Sequence, residues 1–171
     1  MRFLYLLAVT ALTAMPAVAH TSGPGWAAAT LSDGLESYRS GNFGAARAAF
    51  RALADHDSAI GETMLGVIYA RGQGVGADPA TAAIFYMRAA DRGYAPAQLA
   101  FAEALASGQG IGRDGAAACL WARLAQQRGD ARLAKAAAAL ADRLEVTLTP
   151  GEREKLDRRL TGWRPWATGR P

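Results

Sequence analysis

Gly72-Gln73-Gly74-Val75-Gly76-Ala77-Asp78 returns as Gly108-Gln109-Gly110-Ile111-Gly112-Arg113-Asp114, 36 residues further along the chain. The register then holds: Ala82 falls on Ala118, Ile84 on Leu120, Phe85 on Trp121, Ala89 on Ala125, Arg92 on Arg128 and Gly93 on Gly129. A fixed period of about 20–50 residues is the signature of stacked supersecondary units, each packing mainly on its neighbours. Such a chain presents an extended surface more readily than an enclosed pocket.

Around these loops the apolar residues recur at three- and four-residue spacing. Ala46, Ala49, Phe50 and Leu53 make one such stripe, and Met64, Leu65, Ile68 and Tyr69 make the next. Ile84, Phe85, Tyr86, Ala89 and Ala90 follow, then Leu99, Phe101 and Leu105, then Leu120, Trp121 and Leu124. This is the helical period, and no run shows the alternation of a strand. The predicted helices cover about Thr30 to Ser40, Phe43 to Ala54, Ser58 to the first glycine loop, and Pro79 to Arg92. Asp78 is placed to cap a helix whose first residue is Pro79, since a proline there lacks only an N–H that would be orphaned anyway. In the next copy Gly115 replaces that proline, which predicts a less firmly started helix. Ala131 to Leu144 and a helix opened by Thr149-Pro150-Gly151-Glu152 complete an all-α chain of antiparallel hairpins. The repeat units fall at about 30–57, 58–94 and 95–130, with capping helices over 131–165 and a tail at 166–171.

The glycines have a structural reading. Gly72, Gly74 and Gly76, and their counterparts Gly108, Gly110 and Gly112, supply a sharp turn between paired helices. Their spacing is G-x-G-x-G and the loop leaves a helix, whereas a dinucleotide-binding loop needs G-x-G-x-x-G leaving a strand.

Ahead of the repeats stands a different segment. Met1-Arg2 is a short positive start, Phe3 to Ala14 is apolar, and Ala17-Val18-Ala19 is a small-residue cleavage box. Residues 1–19 thus read as a secretory signal peptide, with cleavage expected after Ala19 and an uncleaved N-terminal anchor as the alternative, followed by a flexible lead over 20–29. The apolar run is shorter than the ~20 residues that span a bilayer, so no stable membrane span is expected once the signal is removed. The expected location is periplasmic or secreted. The formal charge of +4 is small for 171 residues and scattered, which argues against nucleic acid as a partner. Cys119 is the sole cysteine, so no disulfide forms within the chain, and its place in a helical stripe makes it a small packed hydrophobe.

Chemistry is sparse. Ser32, Ser37, Ser40, Ser58 and Ser107 have no histidine placed beside them by any motif, and no G-x-S-x-G elbow exists. Asp78 and Asp114 read as caps. Glu62, Glu103 and Glu145 stand isolated on separate helices. His20 would become the N-terminal residue, but a copper site needs a further rigidly held histidine, and His56 reads as a solvated loop residue. No catalytic residue, metal or cofactor is assigned. Trp163 and Trp166 read as a cover for the last hydrophobic face of the array.

On these residues the chain resembles the Sel1-like repeat proteins, relatives of the tetratricopeptide repeats. Leu65-Gly66, Tyr69, Gly72-Gln73-Gly74-Val75, Asp78, Ala82, Phe85-Tyr86, Ala89-Ala90 and Gly93 follow the family pattern closely. The next copy departs at Ala102, Leu105 and Gln126. The first hairpin, with Gly34, Tyr38, Gly41-Asn42-Phe43, Ala46 and Phe50, is similar to an ordinary tetratricopeptide unit. The resemblance implies a right-handed α-solenoid whose first helices line a concave groove, and a non-catalytic adaptor that binds a protein or peptide there. It places Leu35, Tyr38, Arg39, Thr63, Val67, Arg71, Leu99 and Glu103 in that groove. An apolar floor with Tyr38, Arg39 and Arg71 suits a peptide carrying a carboxylate, which arginine can bind through two hydrogen bonds. Two other functions stay open: a binder of peptidoglycan or an acidic envelope polysaccharide, and a hydrolase with no identifiable site.

Overall fold

The computed structural model describes residues 25–166. The expected signal segment, the first half of the lead after it, and the tail beyond Trp166 lie outside the described residues. Eight helices follow one another: α1 (Trp26–Arg39), α2 (Phe43–Ala54), α3 (Ala59–Arg71), α4 (Pro79–Asp91), α5 (Ala95–Ser107), α6 (Gly115–Arg128), α7 (Ala131–Glu145) and α8 (Pro150–Gly162). Each packs on the next as far as α7, α8 returns to α6, and the first helices α3, α5 and α7 touch in sequence. This is the expected all-α solenoid of antiparallel hairpins.

The helix starts follow local chemistry. Asn42, Asp78, Asp114 and Asp130 each accept a hydrogen bond from a backbone N–H of the first turn, at 2.8 to 3.2 Å. Thr149 and Glu152 form a reciprocal capping box at the start of α8. Asp114 caps α6 at 2.9 Å just as Asp78 caps α4 at 3.0 Å, and α6 starts at Gly115, the position equivalent to Pro79, so the same cap opens both helices. One expectation changes here: α1 begins at Trp26 rather than Thr30, because the Trp26 ring packs on the first core cluster and on the His56 ring, 4.6 Å away.

The core has two parts. Phe50, Leu53, Leu65, Ile68 and Phe85 are the large members of the first; Phe101, Leu120, Trp121, Leu124, Leu140 and Leu156 are among those of the second. Each fully buried leucine or phenylalanine contributes about 1.5–3 kcal/mol. Cys119 is buried in the second cluster, as its stripe position implies. Ile84 is the exception to its stripe. It is 54% exposed, because α4 turns that side outward between its neighbours α3 and α5.

Trp163 covers the end of the second cluster. Its ring meets Trp121 edge-on with centroids 6.1 Å apart, and the Arg128 guanidinium lies 4.4 Å from its centre. Trp166 remains 49% exposed, with Arg92 4.9 Å over its ring.

The glycine loops do two jobs. Gly72, Gly74, Gly108 and Gly110 have φ between 66° and 78°, a left-handed backbone that side chains disfavour. Gly72 and Gly108 end α3 and α5 in that conformation. Gly74 and Gly110 also seat the loop on the preceding hairpin. A Cβ on Gly74 would lie 2.8 Å from Phe43 Cβ, at the start of α2, and one on Gly110 would fall on the Pro79 carbonyl, at the start of α4. Gly76 and Gly112 have neither constraint: no left-handed φ and open space around them.

One charged cluster lies inside. Glu62 is fully buried, and its carboxylate pairs with Arg88 at 2.8 Å and with Arg92 at 3.3 Å; Arg92 also pairs with Asp57. Glu62 is therefore not isolated, as its helix alone suggests. Burial pushes its carboxyl above the usual range, while the two arginines pull it down. Glu145 is not isolated either: Arg123 joins it to Asp142.

Two mutational outcomes follow. Gly74→Val lowers stability by about 1–3 kcal/mol through strained backbone, while Gly112→Ala stays within about 0.5 kcal/mol of wild type; equal melting temperatures for the two would contradict this loop geometry. Glu62→Ala removes the buried carboxylate that Arg88 and Arg92 share, leaving Arg92 with Asp57 as its carboxylate partner, and lowers stability by about 3–5 kcal/mol. Asp57→Ala, at an exposed pair, changes it by at most about 1 kcal/mol. Urea denaturation of both variants measures the contrast.

Candidate partner-binding face

The site residues implied by the resemblance lie on the first helices, and the structure separates them. Arg39 and Arg71 are the last residues of α1 and α3, both exposed. Arg39 pairs with Glu36 across one turn at 3.7 Å, a contact of little energetic weight on a solvated surface. Arg71 donates from Nη1 to the Tyr38 hydroxyl at 3.2 Å, and that hydroxyl donates to Gln73 Oε1 at 2.6 Å. Tyr38 is itself propped by an edge-on contact with Phe43, centroids 5.6 Å apart. Arg71 thus has a fixed neighbour on one side of its guanidinium, and it makes no ion pair among the described residues.

The apolar members are half-buried. Leu35 and Leu99 pack against the two core clusters, and Val67 stands between solvent and core. Thr63 does not reach the face at all. It is buried, and its hydroxyl donates to the Ala59 carbonyl at 2.6 Å, the back-bonding habit of a threonine inside a helix.

Glu103 lines a cleft of about 350 Å³ between the α3–α4 hairpin and α5. Ala70, Ala82, Ala83, Ala100 and Ala104 make its apolar wall, and Tyr86, Ser107 and Gln109 add polar groups. Glu103 makes no ion pair among the described residues. Its side chain reaches solvent, yet desolvation by the cleft wall holds its carboxyl above the usual range, with Arg143 acting in the opposite sense.

Tyr86 is the residue that sequence reasoning assigned to the core and that belongs in part to this face. Its ring lies across Gly66, where an added Cβ would come within 2.6 Å of Cδ1. The absence of a side chain on α3 lets the tyrosine lean toward the cleft. Burial pushes its hydroxyl up to about 12, and the charges of both Arg71 and Glu103 act on it. The signal was present in the sequence: in the Phe85-Tyr86 pair only one member carries a polar handle. Gln73 and Gln109 come from the repeated loops and Ser107 ends α5, and none of them carries such a signal.

The arrangement thus brings a tethered cation (Arg71), a partly desolvated anion (Glu103) and a phenol between them in electrostatic reach. Beside them lies an alanine-lined cleft. It offers directional polar contacts to an extended ligand. Among the described residues no group of three or more His, Cys, Asp or Glu could hold a metal ion, and no helix is long and apolar enough to cross a membrane.

No protein-family model matches this sequence, and no curated protein matches it. Solved structures do match. One is a protective antigen present in uropathogenic Escherichia coli strains and displaying an SLR fold: 24% identity, TM-score 0.73, covering 80% of this chain and 29% of that one. Another is a Sel1 repeat protein from Oxalobacter formigenes: 25% identity, TM-score 0.54, covering 63% of this chain and 44% of that one. The chain therefore spans less than half the length of either neighbour. By its repeat and its helix packing, this chain has the fold of the Sel1-like repeat proteins.

Proposed function

We propose that this chain is a non-catalytic interaction module of the bacterial cell envelope, binding a protein or peptide partner on the face formed by its first helices. The observation that carries the reading is Arg71. Its guanidinium is oriented by the Tyr38 hydroxyl and makes no ion pair among the described residues, and both it and Glu103 act electrostatically on Tyr86. A cation held in place with hydrogen-bonding capacity to spare is suited to a carboxylate that arrives with a partner. The neighbouring half-buried Leu35, Val67 and Leu99 supply apolar contact. The envelope location is supported by the charge, apolar and small-residue pattern of residues 1–19.

Affinity capture from a periplasmic extract tests this, with the chain from His20 to Pro171 as bait and mass spectrometry as readout. The expected outcome is one protein retained by wild type and by Arg153→Glu on the exposed side of α8. Arg39→Glu combined with Arg71→Glu weakens retention about tenfold or more, since hydrogen bonds to charged groups contribute about 1.5–3 kcal/mol. Equal retention by all three baits, or retention of cell-wall polymer in place of a protein, overturns the reading.

A further inference from the structure

The cleft beside Glu103 points to a more specific occupant. We infer that it receives an arginine side chain of the partner, with the guanidinium on the Glu103 carboxylate and the aliphatic stem along the alanine wall. This rests on the reading of the first-helix face as a peptide-binding surface.

The lining argues for it. Of the ten residues around the cleft, Glu103 is the one carboxyl side chain and none is basic. The remaining polar groups have acceptor capacity left. The Ser107 hydroxyl donates inward to the carbonyls of Glu103 and Ala104, at 2.8 and 3.3 Å, which leaves its lone pairs for an incoming donor. Gln109 and Tyr86 also border the space. A guanidinium carries five N–H donors and no acceptor, and pairs with a carboxylate in two-point geometry. A long side chain that buries its methylenes while its charged end meets a partner fits a wall of Ala82, Ala83, Ala100 and Ala104. The volume of about 350 Å³ is of small-ligand size, within the range of about 300–1,000 Å³ for such sites.

Two other charges act nearby. Arg143 on α7 eases the ionisation of Glu103 from outside the lining, and Arg71 acts on Tyr86. Arg71 in turn favours an acidic group on the same partner.

Chemical-shift titration of the folded, isotope-labelled protein tests the inference with Nα-acetyl-arginine methylamide, and with the glutamine analogue as the neutral control. Saturable shifts at the amides of Glu103, Ser107 and Gln109 are expected for the arginine probe alone. Glu103→Gln weakens that binding about tenfold or more, because a charge-assisted pair is replaced by a neutral one. Ala100→Leu, which fills the cleft and keeps the charge, weakens it too. An equal response to the glutamine probe, wild-type binding by Glu103→Gln, or no saturable shifts at the cleft would each overturn the inference. Partner capture lost by the arginine double variant but kept by Glu103→Gln would sink this inference and leave the binding face standing. Loss of the face altogether shows as capture unaffected by either.

Discussion

The distance between successive hairpins is set by a contact between backbones. Gly74 meets Phe43 at the first turn of α2, and Gly110 meets the Pro79 carbonyl at the first turn of α4. Each pair is 36 residues from its copy in sequence, and each joins a loop to the start of the second helix of the hairpin before it. A side chain at either glycine would push the hairpins apart, and both positions also require a left-handed φ. The stacking of whole hairpins thus depends on a residue without a Cβ at two points where packing and turn geometry make the same demand.

Inside each hairpin a second small residue does comparable work. Gly66 receives the Tyr86 ring, and Gly34 receives Phe50, whose Cε1 would lie 2.8 Å from an added Cβ. The two aromatics are 36 residues apart but the two glycines only 32, because the first hairpin has a shorter turn. A register carried back rigidly from the glycine loops therefore misaligns α1. In the third hairpin the same positions hold Ala102 and Ala122, both fully buried. One side gained a methyl and the other lost a ring, which keeps the helices close by another route.

This separates what was legible from what was not. Repeats, caps and most helix ends were readable, since each depends on residues within a few positions of one another. Glu62 was not, because its partners sit on α4 and only the hairpin brings them together. Its counterpart one repeat on is Gln98, equally buried, whose amide donates to the Ala90 carbonyl at 3.2 Å. The same polar slot is filled once by ion pairs and once by a neutral amide. Nothing in either local sequence marks such a position as interior. Ile84 and Thr63 fail for the converse reason: their apolar or polar character is plain, but which side of a helix faces the neighbouring hairpins is decided by the stack.

The same logic locates the diversity of the binding face. Aligned through their helix ends, Arg39, Arg71 and Ser107 occupy one position, and Leu35, Val67 and Glu103 another. The repeat holds the backbone of these positions constant, since the hairpins are spaced by glycine contacts that surface residues do not touch. Their side chains can then differ while the backbone keeps its course, with Leu35 still packed on the first core cluster. Across them the face runs from two arginines and apolar residues to a carboxylate beside a cleft. A peptide bound as proposed would meet reversed charge along its length, and inverting it would set like charges against each other.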